Sequence, residues 1–220
     1  LSSAGHEPVV VHDSARALDR LRKSPVELAI IELILPQDSG IELCRHIRSD
    51  PGLAQTRILV VSALHSISDK VGAFHAGADD YLTKPFDMAE LECRVEALLR
   101  RSLQASSRQM LRLISLHVDS VFIELDKATF MVHVDGRRTS LTPTEFDLLR
   151  CLMEKAGTVV SHEGLLMDVW GYQNGTGDPE LVRAHIKNLR SKLAGSSRTR
   201  KEIIRTTLRR GYMIPFSTSH

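Results

Sequence analysis

The first hundred residues alternate between short apolar runs and amphipathic stretches, and this alternation leaves few folds open. "EPVVVH" reads as a strand, "SARALDRLRKS" as an amphipathic helix and "ELAIIEL" as a buried strand. "GIELCRHIRS" reads as a helix, "RILVVSA" as a strand and "SDKVGAFHAG" as a helix stopped by Gly77. "DDYLTKP" then reads as a strand and "DMAELECRVEALLRRS" as a helix. Strand and helix in strict turn predict a parallel sheet covered by helices. In such sheets the working groups lie where the C-terminal ends of strands meet the loops. Three polar residues fall at three successive strand ends: Glu32 in "AIIELILP", Ser62, and Lys84 followed by "PF". A carboxylate at the end of a buried strand is costly unless it has a partner or a task. Three such residues together read as a constellation.

Composition limits the rest. The 220 residues have room for two ordinary domains, and 42% hydrophobic with 25% charged residues is a globular balance that argues against disorder. No apolar run approaches the roughly 20 residues needed to span a bilayer. "LSSAGHEP" has neither the basic nor the apolar region of a signal peptide, so a cytoplasmic location and no membrane partner are expected. Cys44, Cys93 and Cys151 are odd in number and far apart, which gives neither a disulfide framework nor a metal spacing. The ten histidines are scattered, and no cofactor is expected. The net charge of +2 hides an asymmetry. Residues 1–100 hold 11 Lys and Arg against 15 Asp and Glu, whereas Asp178 to Arg210 hold 10 basic and 3 acidic residues. An acidic half and a basic cluster predict two domains, the second meeting a polyanion.

In the second half, "RSLQASSRQMLR" is polar and lacks periodicity, so residues 102–117 are expected as a linker between domains 1–101 and 118–220. "SLHVDSVFIELD" and "ATFMVHVDGRRTSL" alternate as strands do, with "DG" at 135–136 as a hairpin turn. "TPTEFDLLRCLMEKAG" opens on Thr142, Pro143 and Glu145, a capping box with proline at the first helical position. "SHEGLLMDVWG" is a short helix and "NGTGD" a loop. "PELVRAHIKNLRSKLAG" is a third helix ending at Gly195, and "EIIRTTLRRGYMI" a terminal hairpin. Val182, Ile186, Leu189 and Leu193 form the core stripe of the third helix. Arg183, Lys187, Asn188, Arg190 and Ser191 lie on its other face, and Arg198, Arg200, Lys201, Arg205, Arg209 and Arg210 follow. A basic helix beside a basic hairpin suits a major groove and its flanking phosphates.

"ELAIIELILPQDSGIELCRHIRS", "ILVVSA" and "GADDYLTKPF" resemble the receiver domain of bacterial response regulators. The resemblance implies a flavodoxin-like α/β fold with strand order 2-1-3-4-5. It implies an aspartate that accepts a phosphoryl group at the end of the third strand, a Ser or Thr after the fourth, and a lysine after the fifth. Two acidic residues after the first strand hold Mg²⁺. Ser62 and Lys84 match, and Tyr81 matches the switch aromatic. The acceptor position is Glu32. The first strand and its acidic pair are absent, so the chain is expected to be truncated relative to its natural form. Glutamate is one methylene longer than aspartate, about 1.5 Å of reach. Glu32 is therefore expected to meet Lys84 directly in a degenerate pocket with no catalytic role. The alternative is a conventional, phosphorylation-activated regulator in which Glu32 replaces the acceptor aspartate.

"LTPTEFDLLRCLMEKAGTVVSHEGLLMDVWG", "VRAHIKNLRSKL" and "IIRTTLRRGYMI" resemble the α+β winged-helix DNA-binding domain of the OmpR/PhoB class. Together the two resemblances imply a transcription regulator, not an enzyme, that binds double-stranded DNA at direct-repeat half-sites. Pro179 to Leu193 would be the recognition helix and Thr206 to Tyr212 the wing. Arg183, Lys187, Asn188, Arg190, Lys192, Arg205, Thr206, Arg209, Arg210 and Tyr212 are the expected DNA-binding residues. The loop Tyr172 to Asp178 is where relatives touch RNA polymerase. The usual wing "RGVGY" reads "LRRGY" here, and Glu180 and Arg183 stand where relatives often carry Arg and Asp. A homodimer is expected through receiver residues 66–100, with Lys70 meeting Glu90 of a second copy and Asp80 meeting Arg94. A sensor histidine kinase is not expected as a partner.

Overall fold

The computed structural model describes residues 5–35, 38–107, 113–119, 121–173, 175–194 and 203–215. The chain divides into two compact units, residues 1–104 and 105–220.

In the first unit, helices α1 (Ser14–Lys23), α2 (Gly40–Ser49), α3 (Ile67–His75) and α4 (Met88–Ser107) alternate with strands β1 (Leu28–Ile31), β2 (Arg57–Ser62) and β3 (Asp80–Thr83). The strands form a parallel sheet in the order β1-β2-β3. Strand β2 lies between the other two and every residue in it is buried, as a covered parallel strand requires. Asp13, Ser39 and Ser66 cap α1, α2 and α3 by accepting the N–H of Arg16, Ile41 and Asp69. Leu91, Val95 and Leu98 recur at helical spacing on α4 and pack with Leu59, Val61 and Leu82 of the sheet. Arg48 of α2 reaches into the same unit, where its guanidinium bonds three backbone carbonyls and the buried Asp79.

The expectation for "EPVVVH" is corrected. No strand forms there, and Val9 and Val10 are 59% and 75% exposed. A strand needs a partner for its backbone groups. In the order implied by the resemblance, this segment sits beside the first strand, and no described strand occupies that position. Strand β1 pairs with β2 alone among the described residues.

In the second unit, β4 (Leu113–Val118), β5 (Val121–Asp126), β6 (Met131–Val134) and β7 (Arg137–Ser140) form an antiparallel meander. Asp135 and Gly136 both have positive φ, 48° and 82°, the geometry a two-residue "DG" hairpin needs. Helix α5 (Pro143–Glu154) carries the expected capping box between Thr142 and Glu145. Helix α6 (His162–Leu165) is capped by Ser161 and widens into a π-helical turn, Leu166–Trp170, that stops at Gly171. Helix α7 (Pro179–Ala194) packs against α5 and buries Val182, Ile186, Leu189 and Leu193. Strands β8 (Arg205–Thr207) and β9 (Gly211–Met213) close the fold as a hairpin.

Helix α4 runs to Ser107, inside the stretch expected as a linker, and β4 already begins at Leu113. Residues 108–112 of that stretch lie outside the described residues, as do Gly195, Arg198, Arg200 and Lys201. Among the described residues no helix is long and apolar enough to cross a membrane.

Candidate strand-end pocket and nucleic-acid interface

Parallel register brings the three strand ends together. Ser62 ends β2 opposite Thr83, and Lys84 donates its backbone N–H to the Ser62 carbonyl at 2.8 Å. Glu32 directly follows β1. Its Oε1 accepts the N–H of Leu33 at 2.9 Å, and its Oε2 accepts Lys84 Nζ at 2.5 Å. Burial alone would raise the Glu32 pKa, and it is the largest single influence. Hydrogen bonds from Lys84, Ser62 and the Ile34 N–H, with the Lys84 charge, together outweigh it and hold the carboxyl below its ordinary value. Ser62 is fully buried, and its Oγ accepts the Leu64 N–H at 3.3 Å. Tyr81 is buried, donates its hydroxyl to the Leu64 carbonyl at 2.8 Å and meets Phe74 edge-on. Desolvation raises its phenol above the usual value.

Lys84 bonds Glu32 through its side chain and Ser62 through its backbone, and Ser62 and Tyr81 both bond Leu64, so the structure brings all four expected residues together. The residues present do not fit a Mg²⁺ ion. A hard divalent cation takes several oxygen ligands, whereas among the described residues the carboxylate at these strand ends is Glu32, which already holds an ammonium. Among the described residues no group of three His, Cys, Asp or Glu is placed to hold a metal. Gly40 shapes the same loop, because a Cβ there would lie 2.2 Å from the Glu32 carbonyl oxygen.

The charged patch on α3, β3 and α4 is arranged differently from expectation. Arg94 Nη1 donates to both carboxylate oxygens of Asp80, at 3.0 and 2.9 Å, and Arg94 Nη2 donates to Glu90 at 2.6 Å. The Asp80–Arg94 pair expected between two copies is therefore made within one chain. Glu90 lies one helical turn before Arg94 on α4, and the packing of α4 on the sheet sets Arg94 over Asp80.

On the second unit, the outer face of α7 exposes Arg183 and Lys187, with Asn188 half-buried. Arg183 pairs with Glu180 one turn earlier, at 3.0 Å. Arg190 turns away from the exposed face. It donates to the Ile204 carbonyl at 3.1 and 2.8 Å and to Thr206 Oγ1 at 2.8 Å, and its guanidinium lies 5.7 Å from the centre of the Tyr212 ring. Arg190 is a strut between α7 and the hairpin. Lys192 bonds Glu145 at 2.5 Å, and Arg205 bonds Asp119 at 2.8 Å. Tyr212, expected among the DNA-binding residues, is buried, its ring beside His162 and Arg190. Burial and the Arg183 charge hold the His162 imidazole below its usual pKa. Thr206 is exposed. Lys187, Arg209 and Arg210 are exposed and make no ion pair among the described residues. Arg137, which the sequence reading passed over, donates to the carbonyls of Lys192 and Leu193 at the end of α7. No local signal marks it, because its partners lie more than fifty residues away.

A parallel-sheet unit with polar strand ends, followed by a winged helix, defines a receiver joined to a DNA-binding domain. Residues 1–96 match the response regulator receiver domain family, and residues 136–214 match the family described as transcriptional regulatory protein, C terminal. The chain is 35% identical over 221 residues to the DNA-binding dual master transcriptional regulator RpaA of Synechocystis sp.. That match covers 99% of this chain and 88% of the relative. It is 36% identical over 203 residues to the response regulator ArlR of Staphylococcus aureus, covering 92% of this chain and 85% of the relative. A solved structure of a RitR mutant superposes with a TM-score of 0.74 at 22% identity, covering 98% of this chain and 91% of that one, a likeness of fold alone. The chain belongs to the OmpR/PhoB-type response regulators, as a two-component regulator with a DNA-binding domain.

Proposed function

We propose that this protein is a sequence-specific transcription regulator whose receiver works without phosphorylation and holds two copies together on direct-repeat DNA. The observation that carries the reading is the 2.5 Å contact between Lys84 Nζ and Glu32 Oε2. The lysine that would meet a phosphoryl group meets a permanent carboxylate instead. No sensor histidine kinase is needed to set this arrangement. Incubation with acetyl phosphate should therefore leave the intact mass unchanged. A stoichiometric phosphoryl adduct mapping to the receiver would sink the idea and favour conventional activation.

The DNA reading rests on α7 and the wing, and the printed description of RpaA as DNA-binding supports it. Helix α7 enters the major groove, with Arg183, Lys187 and Asn188 toward the bases and Arg209 and Arg210 toward phosphates. Lys187→Ala should weaken binding to a selected site by roughly 1–3 kcal/mol and relax its specificity. Arg209→Ala should weaken all duplexes alike and flatten the salt dependence. Fluorescence anisotropy titrations distinguish the two, and no salt-dependent binding by the unaltered chain would favour a protein-binding adaptor. The loop from Tyr172 to Asp178 is then the surface offered to RNA polymerase.

The dimer forms through α3, β3 and α4. Exposed ion pairs contribute only about 0–1 kcal/mol each, so Lys70, facing a Glu90 that Arg94 of its own chain also holds, mainly sets register. The exposed Ile67 of α3 and Met88 of α4 supply apolar area beside them. Arg94 and Asp80 hold each other in one chain and shape the patch. Sedimentation at micromolar concentration should show a dimer without any phosphodonor, and Lys70→Glu should shift it to monomer. A Lys70→Glu protein that dimerises normally would remove this interface, and an unaltered chain that stays monomeric on DNA would remove the dimer.

A further inference from the structure

The tip of the wing carries an exposed leucine followed by two arginines. Thr207, Leu208, Arg209 and Arg210 form a turn closed by the Arg210 N–H on the Thr207 carbonyl at 2.9 Å. Leu208 is 82% exposed, more than any other large hydrophobic side chain among the described residues. Arg209 beside it adopts a left-handed backbone, φ 57°, which a side chain rarely adopts without strain. Two arginines follow the apolar tip residue, and neither has an ion-pair partner among the described residues.

The tip is also held in place. Tyr212 pairs with Val160 through both backbone groups, at 2.8 and 2.9 Å, and Arg190 ties Ile204 and Thr206 to α7. The base of the hairpin is thereby fixed to the helix that faces DNA, so the tip has a set position relative to that helix. A lone exposed leucine needs no explanation on an ordinary surface. This one leads a doubly basic turn on a hairpin anchored at its base, and that charge suits a polyanion.

We infer that Leu208 is an apolar wedge that enters the minor groove beside the groove holding α7 and partly unstacks one base step, while Arg209 and Arg210 bind the phosphates on either side. The inference rests on the DNA reading of α7. Minor-groove proteins use leucine in this way, with kinks of about 20–90° toward the major groove. The insertion removes Leu208 from water. Its deformation cost is lowest at pyrimidine–purine steps, which unstack readily. The protein would then read a flexible step at a position where it makes no base hydrogen bond.

The test uses the full chain and duplex sites that it selects from a random library. Selected sites should carry a TA or CA/TG step at a fixed offset from the half-site. Energy transfer between dyes on the two duplex ends should report a bend in the complex. Leu208→Ala should remove most of the bend and bind roughly tenfold more weakly, with its salt dependence unchanged. Leu208→Phe should keep the bend. A complex of the unaltered chain with straight DNA overturns the wedge and leaves the DNA reading intact. So does a Leu208→Ala protein that bends and binds as before. Failure to select any duplex at all overturns the DNA reading, and the wedge with it.

Discussion

Arg48→Ala should lower the stability of the receiver unit by about 3–5 kcal/mol, the usual cost of removing one partner from a buried ion pair. Asp79 is fully buried, and its carboxylate bonds Arg48 Nη2 at 2.7 Å and the Ile58 N–H at 2.7 Å. Without the guanidinium, a buried carboxylate loses its counter-charge. The carbonyls of Ala54, Thr56 and Gly77 lose their donors as well. Those carbonyls lie in the segments that lead into β2 and β3, so the loss reaches the strands that carry Ser62 and Lys84. Denaturant unfolding followed by circular dichroism measures the effect. Replacing both partners with apolar residues, Arg48→Met with Asp79→Leu, should recover the part of the loss that comes from a buried unpaired charge, while the three carbonyls and the Ile58 N–H still lose these partners. A single variant as stable as the parent would mean that Asp79 does not depend on Arg48.

Gly211→Ala should detach the wing and destabilise the second unit by about 3 kcal/mol. Gly211 has φ 134°, and a Cβ there would stand 2.0 Å from the Val160 carbonyl oxygen. The obstacle is backbone and cannot rotate away. Strand β9 must move off Val160, which breaks both backbone hydrogen bonds of Tyr212, each worth about 1 kcal/mol net. A φ of 134° lies in a region open essentially to glycine alone and adds roughly 1–3 kcal/mol for any side chain. The Tyr212 ring then leaves its place beside Arg190 and His162. Thermal unfolding should show the loss, and DNA binding should weaken more than in Arg209→Ala, because the whole hairpin loses its support. Unchanged binding with a lowered melting temperature would mean that the wing contributes nothing to the DNA contact.

The sequence by itself determined most of the local architecture. Alternation of apolar runs and amphipathic helices fixed the parallel sheet, because helical and strand periods are written residue by residue. Thr142, Pro143 and Glu145 announced the start of α5, and "DG" announced the turn between β6 and β7, because caps and tight turns are decided within four residues. Glu32, Ser62 and Lys84 were legible as one pocket because parallel strands end together. Tertiary structure alone decided which charges are engaged within the protein. Arg190 bonds a carbonyl 14 residues away, Arg205 an acid 86 residues away, and Arg137 the end of α7 from 55 residues away. No local pattern encodes such pairs. Charge counting assigned Arg190, Lys192 and Arg205 to DNA, and each also makes a contact across the fold, Arg205 while remaining exposed. The same holds for Arg94, claimed by Asp80 in its own chain. The valines of "EPVVVH" have strand propensity, yet propensity forms no strand without a neighbour to take its hydrogen bonds.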